Sequence, residues 1–454
     1  MADSATATMS RPTIGCILSQ FPRYDEAFIL RELVELSRGP WELVIFSLRP
    51  CRDRVIHAQA KALQPQTIYA PFVRSREVWR SHGYFLRRDA RAYWGSLDWI
   101  VSRHWRHPIV LIKSLILFPK IVHFARLAME RGVTHLHAFW ATYPSTAAVV
   151  TNRLIGLPFS MSGHAHDIYM TSPALAEKIT RSRFLLTCTE ANKQYLDRLI
   201  SDHQARVSSS TAPAGKVIVS YHGVDLTRFT ATEKPDSPAC HVLIVGSLFP
   251  CKGLETLIDG CKLLKDRGVA FRCTIAGGGP LEKSLRQQIE RLGLGHEITI
   301  TGYVSQEIVV GLYQQAHVFA LPLVSRIHWG IPNVVIEALA TKTPIICCDL
   351  PSLKELAVHG ESGWIIPEHD PAAVADAVER LWKDPGLRLR LGESGYRRVV
   401  ERFALERTGE ALRRVFSEAI DRAAGRAGTS HQRVIKSAAP SSPRARGSEL
   451  PASS

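Results

Sequence analysis

The 454-residue sequence has no CxxC pair and no His/Cys cluster at metal-ligand spacing, and its nine cysteines are an odd number. Neither a disulfide framework nor a structural zinc site is indicated, and reduced thiols in a cytoplasm are the simpler expectation. Long apolar runs are also lacking. The longest, Pro108 to Pro119, carries Lys113 at its centre and reads as too short to cross a bilayer. Residues 1–11 are polar, without the charged start and apolar core of a secretory signal. At 45% hydrophobic and 22% charged residues, the chain is neither collagen-like, nor wholly disordered, nor a multi-span membrane protein.

What is in excess is positive charge, +15 formally, and it is unevenly spread. Between Arg74 and Arg131 there are 12 basic and 4 acidic residues, and beyond Ala424 there are 5 and 1. The first segment interleaves Arg76, Arg80, Arg87, Arg88, Arg91, Arg103 and Arg106 with Trp79, Tyr84, Phe85, Tyr93, Trp94, Trp99 and Trp105. Basic-aromatic helices of this kind suit the headgroup level of an anionic membrane, and equally suit ordinary packing on a sheet. No nucleic-acid-binding module accompanies the charge, so nucleic acid is not an expected partner.

Two series of short β-branched runs alternate with helical patterns, the pattern of parallel sheets with crossover helices. The first comprises 13–18, 43–48, 134–139, 158–162, 184–189 and 216–221; the second 241–246, 271–276, 297–301, 317–322, 344–349 and 363–366. The spacing predicts an α/β chain of two doubly wound, Rossmann-like domains facing a cleft, with ligands at the carboxyl ends of the strands. Its parts are a disordered start (1–11), a first domain (12–230), a turn-rich linker (231–240), a second domain (241–400), a helix packing back on the first domain (401–423) and a disordered basic tail (424–454).

In the second domain, His241-Val-Leu-Ile-Val-Gly-Ser-Leu-Phe-Pro-Cys-Lys-Gly reads as a buried strand, a turn and the start of a helix. Lys252 thereby sits beside a helix N-terminus, whose free N–H groups favour an anion. Gly277 to Gly279 form a second turn that admits close backbone approach. The stretch from Ala320 to Ile346 reads as strand, loop, short helix and strand. It places Glu337 inside the helix between Ile336 and Ala338, where an unpaired carboxylate is costly, so Glu337 needs a donor from the protein or from ligand hydroxyls.

These segments resemble retaining, nucleotide-sugar-dependent glycosyltransferases of the GT-B fold, specifically the group 1 family that shares a Glu-x7-Glu motif. The resemblance runs from Thr13 to about Ala423. The bacterial exopolysaccharide or colanic-acid branch looks closest, through Ser19-Gln-Phe-Pro-Arg-Tyr-Asp-Glu-Ala-Phe-Ile-Leu-Arg-Glu and Tyr221-His-Gly-Val-Asp-Leu-Thr-Arg-Phe. The resemblance implies transfer from a UDP- or GDP-sugar to a saccharide acceptor with no cofactor; the basic-aromatic segment adds the expectation of a lipid-linked acceptor and a cytoplasmic protein held peripherally on the inner face of the cell membrane. The resemblance also implies Glu337 on the donor ribose, Lys252 on the leaving diphosphate, Gly330, Ile331, Pro332 and Asn333 as a phosphate cradle, and Tyr303 and Val304 at the nucleobase.

Two positions depart from the family pattern. Trp329 stands where the first acid grips sugar hydroxyls, and Ser247 where many relatives place an arginine, for which Arg326 is the available substitute. A weakened sugar-nucleotide binder and a sugar-nucleotide epimerase on the same fold therefore stay open as alternatives. In the first domain, Leu136-His-Ala-Phe-Trp and Phe159-Ser-Met-Ser-Gly-His-Ala-His-Asp-Ile resemble family segments that end strands at the cleft. His164 is the expected contact to the reacting sugar, with Asp167 orienting an imidazole. Glu26, Arg31, His137 and His166 are candidates for the acceptor. No Asp-x-Asp occurs on a loop, and the implied scheme draws on no metal.

Overall fold

The computed structural model describes residues 11–23, 26–51, 53, 56–69, 71, 75–170, 172–206, 216–324 and 330–423. Strands covered by helices on both faces are apolar throughout rather than alternating, and all six residues of β1 (Thr13–Leu18) are buried. The first domain continues with β2 (Glu42–Ser47), β3 (Thr67–Ile68), β4 (Val133–Phe139), β5 (Phe159–Gly163), β6 (Phe184–Thr187) and β7 (Lys216–Val219). They lie in the order β3-β2-β1-β4-β5-β6-β7, every pair parallel. The second domain has β8 (Cys240–Val245), β9 (Phe271–Ala276), β10 (Ile298–Gly302), β11 (Val318–Leu321), β12 (Ile345–Cys348) and β13 (Trp364–Ile366). Their order is β10-β9-β8-β11-β12-β13, again all parallel. Both sheets reverse direction of growth beside their first strand, at β1/β4 and β8/β11, where a crevice opens at the carboxyl ends.

Both expected series of strands are present, and β3 is an addition: two residues are too few for any periodicity. A larger difference concerns the apolar run that was expected to end at Pro119. The helix continues through that proline and spans Pro108–Glu130, 23 residues. A mid-helix proline forfeits one hydrogen bond and crowds the preceding turn, but Leu117, Phe118, Ile121, Val122, Phe124 and Ala125 around it are all buried and hold the helix to the first domain. By length and composition this helix is long enough to cross a membrane, yet half of its apolar window is buried inside the protein.

Two further helices, Arg76–Arg88 and Ala90–His104, pack with it and are separated by Asp89, whose side chain accepts from the Ala92 N–H at 2.9 Å. The segment between the sheets is anchored rather than free. Lys234 donates to the Tyr313 carbonyl (2.8 Å) and to Thr343 Oγ1 (2.7 Å), and burial pushes its ammonium pKa down to about 7.

The chain crosses back after the second domain. Val224 donates to the Phe403 carbonyl at 2.8 Å and Leu405 to the Val224 carbonyl at 2.9 Å, and helix Leu405–Ala423 then lies on the first domain. Its Phe416 is fully buried, with ring centroids 4.9 Å from His137, 5.4 Å from Phe184 and 6.3 Å from Trp41. Arg413 pairs with buried Glu35 of helix Ala27–Ser37. Residues 1–10 and 424–454, expected to be disordered, lie outside the described residues.

This strap ties the end of the second domain to the first. Phe416→Ala removes a fully buried ring and is expected to cost about 3–5 kcal/mol. Urea unfolding monitored by tryptophan fluorescence checks it, and an unchanged midpoint would show that the strap does not hold the first domain.

Candidate active site

At the carboxyl ends of β8 and β9 two turns interlock. Gly277 has φ +151°, and a Cβ there would sit 2.0 Å from the Gly246 carbonyl oxygen, so no other residue fits without moving backbone. Leu248 donates to the Gly278 carbonyl at 3.0 Å, tying one turn to the other. The chain then passes through the short turn Pro250–Lys252 into helix Leu254–Asp266. Gly253 joins them at φ +64°, with a Cβ position 1.8 Å from the Pro322 carbonyl oxygen.

Lys252 stands in this turn, with its stem alongside Gly246. Burial lowers its pKa, and it has no carboxylate partner among the described residues. A part-buried ammonium without a counter-ion is a ready place for an anion. Ser247, half-buried, leaves its carbonyl to the Phe249 N–H at 2.9 Å. Tyr303, just past β10, is 72% exposed, and its ring lies where a Cβ on Gly278 would be, 2.7 Å away. That leaves one ring face free for an aromatic base, while neighbouring Val304 packs on the second core.

Helix Asn333–Ala340 begins after Pro332, whose carbonyl accepts from Val335 at 3.0 Å. Ile331 is buried, and Gly330 faces Ala165 of the first domain, 3.5 Å from where its Cβ would be. Glu337 is buried inside the helix and finds two donors. Arg31 Nη2 reaches Oε1 at 3.4 Å from the first domain, and Tyr313 Oη lies 3.3 Å from Oε2, its single proton shared with the Val334 carbonyl at 3.1 Å. Burial raises the Glu337 pKa, and Arg31 and Tyr313 pull against it. Arg31 also donates to the Gly223 carbonyl at 2.8 Å. Arg326 and Trp329 lie outside the described residues.

Across the cleft, His164 follows β5 and caps the helix Ala165–Tyr169. Asp167 binds the backbone rather than an imidazole: Oδ1 accepts from the His164 N–H at 2.7 Å and Oδ2 from the Ala141 N–H. It therefore holds the turn that carries His164, and does not orient the ring as expected. Burial pushes the Asp167 carboxyl up to about 7 and the His164 imidazole down to about 3. The His164 ring lies 4.8 Å from Phe28 and 4.9 Å from Trp140, centroid to centroid. Trp140 has φ +107°, a conformation that a non-glycine residue keeps only when its surroundings impose it.

Three acceptor candidates are placed differently from expectation. His137 is fully buried, with Nδ1 on Ser160 Oγ (2.8 Å) and Nε2 on Ser162 Oγ (3.0 Å), beneath Phe416. It packs between sheet and strap and does not reach the cleft. Its segment does reach it, one residue beyond the strand, through Trp140. Glu26 is buried and pairs with Arg23 at 3.1 Å, while Arg31 is committed to Glu337. His166 is exposed on the same short helix as Asp167.

Four residues of the site had no individual signal in the sequence. Tyr313 meets Glu337 from a helix that nothing in the local pattern links to it. His222, Cys188 and Glu32 gather against His164. Of these, His222 and Glu32 fall in motifs already noted, neither singled out there.

Residues 230–398 match the family "Glycosyl transferases group 1". The chain is 38% identical over 182 residues to a colanic acid biosynthesis glycosyltransferase, WcaL, of Salmonella typhimurium, covering 39% of this chain and 45% of that protein. It is 31% identical over 186 residues to the amylovoran biosynthesis glycosyltransferase AmsK of Erwinia amylovora, with the same coverage. The matched region thus spans less than half the length of these relatives. Among solved structures, HepE of Anabaena in complex with UDP superposes with a TM-score of 0.62 at 14% identity, over 90% of this chain and all of that one. Sucrose-phosphate synthase of Thermosynechococcus elongatus gives 0.66 at 16% identity, over 91% of this chain. The fold is GT-B: two parallel-sheet α/β domains on either side of a cleft.

The Arg31–Glu337 pair makes a definite prediction about charge. Removing the cation by Arg31→Ala raises the carboxyl pKa of Glu337 further, because an opposite charge favours the ionised form. A 13C titration of side-chain-labelled glutamates, with Glu337→Gln for assignment, checks it; an unmoved Glu337 midpoint would show the pair to be incidental.

Proposed function

We propose that this chain, whose residues 230–398 form a glycosyltransferase group 1 domain, transfers a sugar from a UDP- or GDP-sugar to a lipid-linked saccharide in the assembly of a bacterial surface polysaccharide. The observation that carries this reading is Lys252. It is part-buried and without a carboxylate partner among the described residues, at the mouth of two glycine turns and on the same sheet edge as the open ring of Tyr303.

In this reading the base stacks on Tyr303, the ribose hydroxyls donate to Glu337 in place of Arg31, and the diphosphate lies against Lys252 and the backbone N–H groups near Asn333. Its developing charge is met by fixed dipoles and one ammonium, which need no reorganisation as the bond breaks. The ring nitrogens of His164, unpartnered among the described residues, are available to hydroxyls of the transferred sugar. Alignment of acceptor and donor on one face lets a departing phosphate oxygen take the acceptor's proton, giving retention without a protein nucleophile. Charge neutralisation in this scheme draws on Lys252 and backbone amides rather than on a metal ion.

Lys252→Ala is expected to lower kcat by about 10²–10³-fold, the usual effect of losing one stabilising donor at a developing charge, and Glu337→Ala to abolish transfer. Nucleotide release from UDP- and GDP-sugars with a lipid-extract acceptor measures both. Turnover at the wild-type rate in either variant removes that residue from the donor site. Release that needs no acceptor favours the epimerase reading.

The lipid side of the proposal has support of its own in the first domain. Trp94, Val101 and Trp105, followed by Ile109, Ile112 and Ile116, are 43–68% exposed and recur at helical spacing along successive helices, with Arg91, Arg103, Arg106 and Lys113 interspersed. An apolar stripe flanked by cations fits the interface of an anionic bilayer. The protein is expected to float with phosphatidylglycerol vesicles and not with phosphatidylcholine vesicles, and Ile112→Glu with Ile116→Glu to abolish flotation. Equal recovery with both vesicle types would contradict it.

A further inference from the structure

Among the described residues, His164 has no hydrogen-bond partner for either ring nitrogen, and His222 has none for Nε2. Glu32 Oε2 is also unpartnered, and Glu32 Oε1 lies 3.9 Å from His222 Nε2. Cys188 stands among them, and the ligand atoms of His164, Cys188 and His222 all lie within 4.8 Å of one another. The three are 8%, 3% and 8% exposed. A buried acceptor with no donor costs free energy, so several around one point call for a shared partner. Sugar hydroxyls satisfy imidazoles and carboxylates, but a thiol beside two imidazoles is a poor match for them. It is the preferred donor set of a soft or borderline cation.

We propose that His164, Cys188 and His222, with Glu32 as the fourth ligand, bind a zinc-class divalent cation. Two imidazole nitrogens, one thiolate and one carboxylate complete a tetrahedral set. Bonds of about 2.0–2.3 Å place ligand atoms roughly 3.3–3.7 Å apart, so closure needs side-chain movement on the order of 1 Å. As the sulfur–metal bond forms, the Cys188 thiol proton leaves to solvent.

A second observation points the same way. His222 Nδ1 lies 3.1 Å from Asn333 Oδ1. With the amide oxygen as acceptor, Nδ1 carries the proton and Nε2 presents its lone pair to the cluster, the outer-shell arrangement that metal-binding histidines use. Asn333 belongs to the second domain, so the ion reports on closure of the cleft. If His164 also serves the transferred sugar, as proposed above, ion and sugar exclude one another, and zinc inhibits transfer. That corollary rests on the glycosyltransferase reading; the site itself does not.

The test is titration of Co2+ into the full-length, metal-stripped protein in a non-chelating reductant, read by the thiolate-to-cobalt band in the near ultraviolet and the visible d–d bands. One equivalent is expected to saturate both, and Zn2+ to displace it. Cys188→Ser abolishes the near-ultraviolet band, Asn333→Ala weakens binding about tenfold, and Cys51→Ser and Cys251→Ser leave the spectrum unchanged. His222→Gln is expected to weaken binding at least tenfold, and it carries the test should Cys188→Ser fail to fold. Absence of a one-equivalent thiolate band in the wild type, or its persistence in a folded Cys188→Ser or at full strength in His222→Gln, overturns the proposal. Melting-temperature shifts with UDP or GDP, read on the same samples, report the donor site separately.

Discussion

A carboxylate inside a helix, away from water, must be met by donors, and here one of the two comes from the opposite domain. Arg31 at 3.4 Å and Tyr313 at 3.3 Å satisfy Glu337 together. Breaking a buried pair by deleting one partner leaves the other charge stranded, and this costs several times what the intact pair contributes. The contact therefore sets the separation of the two domains as well as the charge state of the acid. Other bonds follow the same seam: His222 to Asn333, and Tyr221 Oη to Glu355 at 2.9 Å, with Glu355 also accepting from the Glu190 and Ala191 N–H groups.

The seam also explains why the strap matters to chemistry at a distance. Glu35 lies on the same helix as Arg31 and pairs with Arg413 of the returning C-terminal helix, so the helix that offers Arg31 to the second domain is held from behind. Gly223, whose carbonyl orients Arg31, is pressed against Leu405 and Thr408 at the start of that same helix. Packing of Phe416 in the first core is thereby linked, through rigid elements, to the position of a guanidinium on the acid. In the proposed reading, ribose hydroxyls that take the place of the guanidinium at Glu337 release this link.

Most of the fold was legible because buried parallel strands announce themselves as short apolar β-branched runs between helical patterns. β3 was hidden by its two-residue length, and the continuation past Pro119 by a local rule that tertiary burial overrides. The second-domain side of the cleft was readable for a similar reason: Lys252, the glycine turns and Glu337 lie in contiguous segments whose spacing already places them at strand ends. The first-domain side was not. His137 and Trp140 lie three residues apart, and only the point at which β4 ends decides which of them faces the cleft. Tyr313, Cys188 and Glu32 reach their partners through tertiary contacts alone, and Asp167 turned out to hold backbone N–H groups, a role that motif spacing does not distinguish from orienting an imidazole.

The central claim is that a nucleotide enters between Lys252 and Glu337 and takes the place of Arg31. A crystal structure with UDP or GDP bound tests it most directly. The diphosphate is expected at salt-bridge distance from Lys252, the ribose hydroxyls on the Glu337 carboxylate, and the Arg31 guanidinium withdrawn from it. A nucleotide bound elsewhere, or bound with the Arg31–Glu337 pair intact, would overturn the proposed donor site.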